Sequence, residues 1–137
     1  MVATKFCGGD KLRNIVVCIQ NKLLEKGVYK CLKENYENRI FQIDDFDMVA
    51  EECIKNDADV LLVEATKYMP NTMKQWLVTI KKIRYKQPIC NYVVIVDENS
   101  SPEVARQVQI AKSDQLIDAF VYSSVSGEYI RAIVESL

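Results

Sequence analysis

The chain contains no histidine. The commonest general base is therefore missing, and with it the Ser-His-Asp and Cys-His schemes of nucleophilic catalysis. No Cys-x-x-C pair occurs, and the five cysteines (Cys7, Cys18, Cys31, Cys53, Cys90) are widely spaced and odd in number. They do not read as a structural zinc site. Cys18 lies in a strand pattern, and Cys31 and Cys53 fall on apolar helix faces, as reduced core thiols of a cytosolic protein would. No apolar run approaches the ~18 residues of a membrane span, and there is no signal-peptide core. Neither Gly-x-Gly-x-x-Gly nor Gly-x-x-x-x-Gly-Lys is present, so phosphate cradles of those two kinds are excluded. Charge of one sign is lacking too. The balance of 18 basic against 19 acidic residues, net -1, gives no general reason to expect nucleic acid or an anionic membrane as a direct partner.

What is present is an ordinary globular composition, 49% hydrophobic and 27% charged over 137 residues. That length suits one domain able to bury roughly 68% of its unfolded surface. Residues 1–13, with Gly8-Gly9-Asp10, lack periodicity and are expected to form a flexible arm ahead of a domain over 14–137. The centre of the pattern is Val60 to Val63, four apolar residues without polar alternation, framed by Asp59 and Glu64. A surface strand would alternate; an unbroken run suits a strand buried on both faces of a parallel sheet. Asn14–Ile19 repeats that signature. Further strands are expected over Arg39–Ile43, Asn91–Val96 and Asp118–Tyr122.

Between the strands the apolar spacing turns helical. Leu23, Leu24, Val28, Cys31 and Leu32 predict a helix from about Asn21 to Asn35, with Gly27 on the same face permitting close packing on the sheet. Asp44 or Asp45 is expected to cap a second helix facing inward through Phe46, Val49, Ala50, Cys53 and Ile54, and Asn56-Asp57 to end it. Thr72 opens a third helix with Met73, Trp76, Leu77, Ile80 and Ile83 on one face; Lys81, Lys82, Arg84 and Lys86 read as its solvated side. Ser101-Pro102-Glu103 is a strong start for a fourth, and Ser126 for a fifth carrying Ile130, Ile133, Val134 and Leu137. Strict alternation with short, right-handed connections predicts a three-layer α/β/α domain. Its five-stranded parallel sheet should have the flavodoxin-like order 2-1-3-4-5.

Function in such folds collects beyond the carboxyl ends of the strands. The stretches there, Ile15-Val-Val-Cys-Ile19, Asp59-Val-Leu-Leu-Val-Glu64, Met69-Pro70, Val93-Val-Ile-Val-Asp97 and Ala119-Phe-Val-Tyr-Ser-Ser124, resemble the receiver domain of two-component response regulators. The resemblance runs from about Asn14 to Leu137. It implies that the family's Mg²⁺-binding acids fall among Cys18, Ile19 and Gln20, none of which offers a carboxylate. Glu64 stands in the place of the phospho-accepting aspartate, one methylene longer. Asp97 replaces a hydroxyl residue, Ser123-Ser124 replace the lysine and proline, and Phe120 keeps the bulk of the switch aromatic without a phenolic hydroxyl.

The resemblance therefore implies a degenerate receiver that binds no metal or cofactor and is not an enzyme. Such a regulatory interaction module would act independently of phosphorylation on a protein partner or on an output domain beyond Leu137. Glu64 reads either as a built-in mimic of the phosphorylated aspartate or as a solvated strand-end carboxylate. A homodimer is expected through the fourth helix, fifth strand and fifth helix, where Tyr122, Tyr129, Arg106 and Arg131 would be available. The alternative is a small-ligand-binding or catalytic domain using Glu64 and Asp97.

Overall fold

The structure is a computed structural model that describes residues 12–97, 99 and 101–137. The arm expected over residues 1–13 lies outside the described residues as far as residue 11, and Arg13 already belongs to the first strand. Five strands and five helices alternate: β1 Arg13–Cys18, α1 Lys22–Lys33, β2 Asn38–Gln42, α2 Val49–Lys55, β3 Val60–Ala65, α3 Met73–Lys86, β4 Asn91–Val96, α4 Pro102–Ser113, β5 Ala119–Tyr122 and α5 Gly127–Glu135. A 3-10 turn over Phe46–Met48 leads into α2, with the Asp45 carboxylate accepting the Asp47 N–H at its start. All strand pairs are parallel and the order is β2-β1-β3-β4-β5, as the alternation predicts.

β3 is central because all six of its residues can be buried. Its side chains alternate between two cores. Leu61, Val63 and Ala65 join Met73, Trp76, Ile80 and Ile83 of α3 and Val104 and Val108 of α4, whereas Val60 and Leu62 meet Val28 and Leu32 of α1 and Ile130 and Val134 of α5. Cys18, Cys53 and Cys90 are buried free thiols and Cys31 is half-buried. Among the described residues no helix is long and apolar enough to cross a membrane.

The capping residues act as their chemistry directs. Asn21 accepts the N–H groups of Leu23 and Leu24, Thr72 that of Gln75, Ser101 that of Val104 and Ser126 that of Tyr129. Asp57, in the left-handed region at φ 49°, follows the end of α2. Strand two begins one residue earlier than its apolar pattern, because the Asn38 side chain is held by the Leu32 carbonyl and the Glu135 carboxylate, drawing a polar residue into the sheet.

Gly27 does not serve the packing expected of it: it is exposed, and a Cβ built there would meet nothing within 4 Å. The close approach belongs to Gly127 at the first turn of α5. A Cβ there would lie 2.5 Å from the Cys31 Sγ and 3.4 Å from the Gly27 carbonyl oxygen. The missing side chain that lets α1 and α5 meet is on the other helix.

The far end of the α1–α5 pair is held by Glu135. Its Oε2 accepts from Asn35 Nδ2 and Asn38 Nδ2, each at 3.0 Å, and lies 3.8 Å from the Arg131 guanidinium. Burial pushes this carboxyl up, but the two amides and the charges of Arg131 and Arg13 outweigh it and hold the group below its ordinary value. A depressed folded value stabilises the fold above the unfolded value, and that contribution is lost as pH falls through the folded one. Urea unfolding across an acid pH series should therefore show Glu135→Gln less stable than the parent by about 1 kcal/mol at neutral pH. The two curves should converge as the acid protonates; a constant gap would contradict the assignment.

Candidate functional site

The carboxyl edge of the sheet is organised by Glu64. The alternation of β3 turns its side chain toward the layer of α1 and α5, where only 7% of the residue stays exposed. Its Oε1 accepts the backbone N–H groups of Gln20 and Asn21, both at 2.9 Å. These are donors at the mouth of α1, which the helix itself cannot satisfy. The Asn21 side chain takes those of Leu23 and Leu24, at 3.0 and 3.1 Å. Glu64 is thus a buried, doubly bonded carboxylate at the positive end of a helix, not a solvated strand end. Of the residues placed with it by sequence, Cys18 and Ile19 are fully buried, and Gln20 is exposed and contributes its backbone.

Beside this staple lies a second cluster. The Lys22 ammonium stands between two carboxylates, 2.7 Å from Asp44 Oδ1 and 3.4 Å from Glu25 Oε1. The bond to Asp44, with the charge of Glu25 adding to it, raises the lysine above its ordinary value. Glu25 is buried despite its charge, and its second oxygen, Oε2, has no hydrogen-bond partner. Burial first, and then the carboxylates of Asp44 and Glu25, push the Cys18 thiol up to about 12. Cys18 is therefore protonated at neutral pH, unsuited to nucleophilic or metal-ligand duty. A tethered ammonium supplies the cation at this edge, and among the described residues no group of three or more Asp, Glu, Cys or His side chains could hold a metal ion.

Sequence reasoning passed over Lys22 and Glu25. The signal was available: Glu25 occupies the same helical stripe as Val28 and Leu32, a charge on the buried face. The helical spacing of α3 places Trp76 in the core. Its indole Nε1 also donates to the Glu64 carbonyl oxygen at 3.1 Å, and its ring packs on Phe46 with centroids 4.6 Å apart.

The other half of the edge is built by β4 and β5. Asp97 follows β4, half-buried, and its Oδ1 accepts the Asn99 N–H at 3.0 Å. Ser123 is half-buried, and its backbone N–H donates to the Val96 carbonyl at 2.9 Å. Phe120 packs partly buried against the core beneath α3 and α4, edge-on to Tyr122 at 5.9 Å. The structure therefore joins Glu64 to Gln20 and Asn21 on one side, and Ser123 to the end of β4 on the other. A groove of about 540 Å³ between α1 and α5 reaches Asn21 and Ser123, and neither Glu64 nor Asp97 lines it.

The expected dimer surface is altered in one respect. Arg131 turns toward α1, where its guanidinium meets the Glu34 carboxylate at 2.9 Å and the Cys31 carbonyl at 3.4 Å. It is spent inside the α1–α5 pair because α5 packs on α1, a neighbour relation that the local pattern of α5 does not carry. Arg106 is exposed and paired with Glu103, Tyr129 is 51% exposed, and Tyr122 is half-buried with its hydroxyl accepting from Gln109.

No family model matches the chain, and no curated protein matches it by sequence. Solved structures do match its shape. The signal receiver domain of the response regulator NarL from Mycobacterium tuberculosis superposes with a TM-score of 0.71 at 18% identity, over 92% of this chain and 95% of that one. The non-phosphorylated receiver domain of the stress response regulator RcsB from Escherichia coli gives 0.68 at 16%, covering 92% of each. A streptococcal chain, from a family of redox sensors evolved from two-component response regulators, gives 0.71 at 14% over 90% of this chain and 50% of that one. Sheet order, the alternation of strands and helices and these superpositions together establish that the chain has the fold of response-regulator receiver domains.

Proposed function

We propose that this receiver-fold domain is a regulatory interaction module that works without phosphorylation, acting on a protein partner or a fused output domain. The observation that carries the reading is the state of Glu64. Its carboxylate is buried and given over to the Gln20 and Asn21 amides, so the strand-end acid is consumed as a structural acceptor. Phosphoryl transfer depends on cations that neutralise charge gathering on the phosphoryl oxygens. Here Cys18, Ile19 and Gln20 offer no carboxylate for a divalent ion, Ser123 brings no ammonium, and Asp97 adds negative charge. The Lys22 ammonium is already held by Asp44 and Glu25.

In this reading Glu64 keeps the β1–α1 connection in a single arrangement, the part a phosphorylated aspartate would otherwise play intermittently. Self-association through α4, β5 and α5 belongs to the same proposal. Phe120, Tyr122, Val125 and Tyr129 line a groove of about 430 Å³ at the free edge of the sheet, and aromatic side chains of this kind favour interfaces.

Intact mass after incubation with acetyl phosphate and Mg²⁺ tests the reading. The expected result is an unchanged mass and an unchanged melting temperature in millimolar Mg²⁺. Losing one stabilising contact of this type costs ~10²–10³ in rate, and several are lost together. A phosphoryl adduct that disappears in Glu64→Gln would overturn it.

A further inference from the structure

Charge along the chain is segregated although its total is near zero. Residues 65–96 carry Lys67, Lys74, Lys81, Lys82, Arg84 and Lys86 and no acidic residue, which leaves 12 basic against 19 acidic residues for the rest. Most of that positive charge sits on α3. The inner stripe of the helix, Met73, Trp76, Ile80 and Ile83, is fully committed to the core. Its outer stripe runs Lys74, Val78, Lys81 and Tyr85 at spacings of four, three and four residues, with Lys82 and Lys86 beside it. Val78 is 49% exposed, Tyr85 86%, and Ile89, just past the helix end, 73%. Among the described residues, no ion pair or hydrogen bond engages the side-chain ammoniums of Lys74, Lys81, Lys82 or Lys86. Apolar and aromatic groups flanked by unpaired ammoniums have no duty in the fold.

We propose that the outward face of α3 docks an acidic protein segment that carries apolar anchors. The inference rests on the regulatory-module reading and gives its partner a chemistry. Charge complementarity selects an anion. The neighbouring charge then selects a short one: α2 packs beside α3, and it and the turn before it carry Asp47 and Glu51, both exposed, with Glu52 half-buried. A nucleic-acid duplex is longer than the ~21 Å of a fourteen-residue helix and would run onto that negative surface. A peptide segment fits within the positive strip. Val78, Tyr85 and Ile89 offer it apolar contact that a phosphate backbone would not use. Lipid is disfavoured for a different reason, since the apolar stripe an interfacial helix would insert is buried in the core.

The probe is a synthetic amphipathic peptide with leucines along one stripe and glutamates on either side, followed by fluorescence anisotropy over a salt series. Binding should weaken with salt. Lys81→Glu/Lys82→Glu should weaken it by roughly tenfold through lost steering and complementarity, and Tyr85→Ser by roughly tenfold or more through the lost anchor. All three positions are exposed, so melting temperatures of the variants should match the parent. No binding to the full chain, or binding that these variants leave intact, would overturn the proposal. So would tighter binding to duplex DNA or to phosphatidylserine vesicles, or salt-sensitive self-association lost in Lys81→Glu/Lys82→Glu. Failure of the underlying reading is seen separately, because phosphoryl uptake changes the intact mass whether or not the peptide binds.

Discussion

Replacing Trp76 with alanine is expected to lower the free energy of unfolding by about 4 kcal/mol. The residue is fully buried, packs on Phe46, and its indole donates to the Glu64 carbonyl oxygen. Truncation would open a cavity between α3 and the sheet and at the same time leave a buried carbonyl without its partner. Against a total of roughly 5–15 kcal/mol for a domain of ordinary stability, such a loss places the variant near unfolding at physiological temperature. Trp76→Phe separates the two causes. It removes the donor while keeping most of the apolar volume, so a smaller loss of about 1–2 kcal/mol is expected. Trp76 is the only tryptophan of the chain, so urea unfolding of all three proteins is best followed by circular dichroism. A cost for Trp76→Ala under 1 kcal/mol would mean that the ring is not the keystone of that core.

Glu64→Ala is expected to cost about 3 kcal/mol, since two charge-assisted hydrogen bonds to backbone amides disappear at once. Glu64→Gln keeps an acceptor in the same place and loses the charge facing the start of α1, for about 1 kcal/mol. The order alanine worse than glutamine, with both below the parent, is the signature of a structural staple. Hydrogen exchange should locate the damage, with faster exchange at the Gln20, Asn21, Leu23 and Leu24 amides and little change in β4 and β5. Equal stability of all three proteins would return Glu64 to the solvated strand-end role and remove the main support for a fixed β1–α1 connection.

These two residues also mark how far sequence alone reached. Val60 to Val63 and Asn14 to Ile19 declared themselves as buried strands of a parallel sheet, because an unbroken apolar run too short for a helix of its own suits a strand covered on both faces. Thr72, Ser101 and Ser126 announced helix starts by a chemistry that acts within three residues, whereas the capping by Asn21 came from the structure. Alternation with short, right-handed connections gave a parallel sheet, and five strands in a domain of this size, without a Gly-x-Gly-x-x-Gly turn after the first, gave the order β2-β1-β3-β4-β5.

The site was legible only as a set of positions. Glu64 was visible as a strand-end acid, but its burial depends on Gln20 and Asn21, more than forty residues away, turning their amides toward it. Lys22 meets Asp44, which follows the neighbouring strand β2, and Arg131 reaches Glu34 only because α5 packs on α1. Gly27 and Gly127 look alike in the sequence, yet only the second is pressed against a neighbouring helix. Periodicity and capping are properties of adjacent residues. Which charges are paired, which carboxylate is buried and which glycine is needed are properties of the tertiary contacts that bring distant segments within hydrogen-bonding distance.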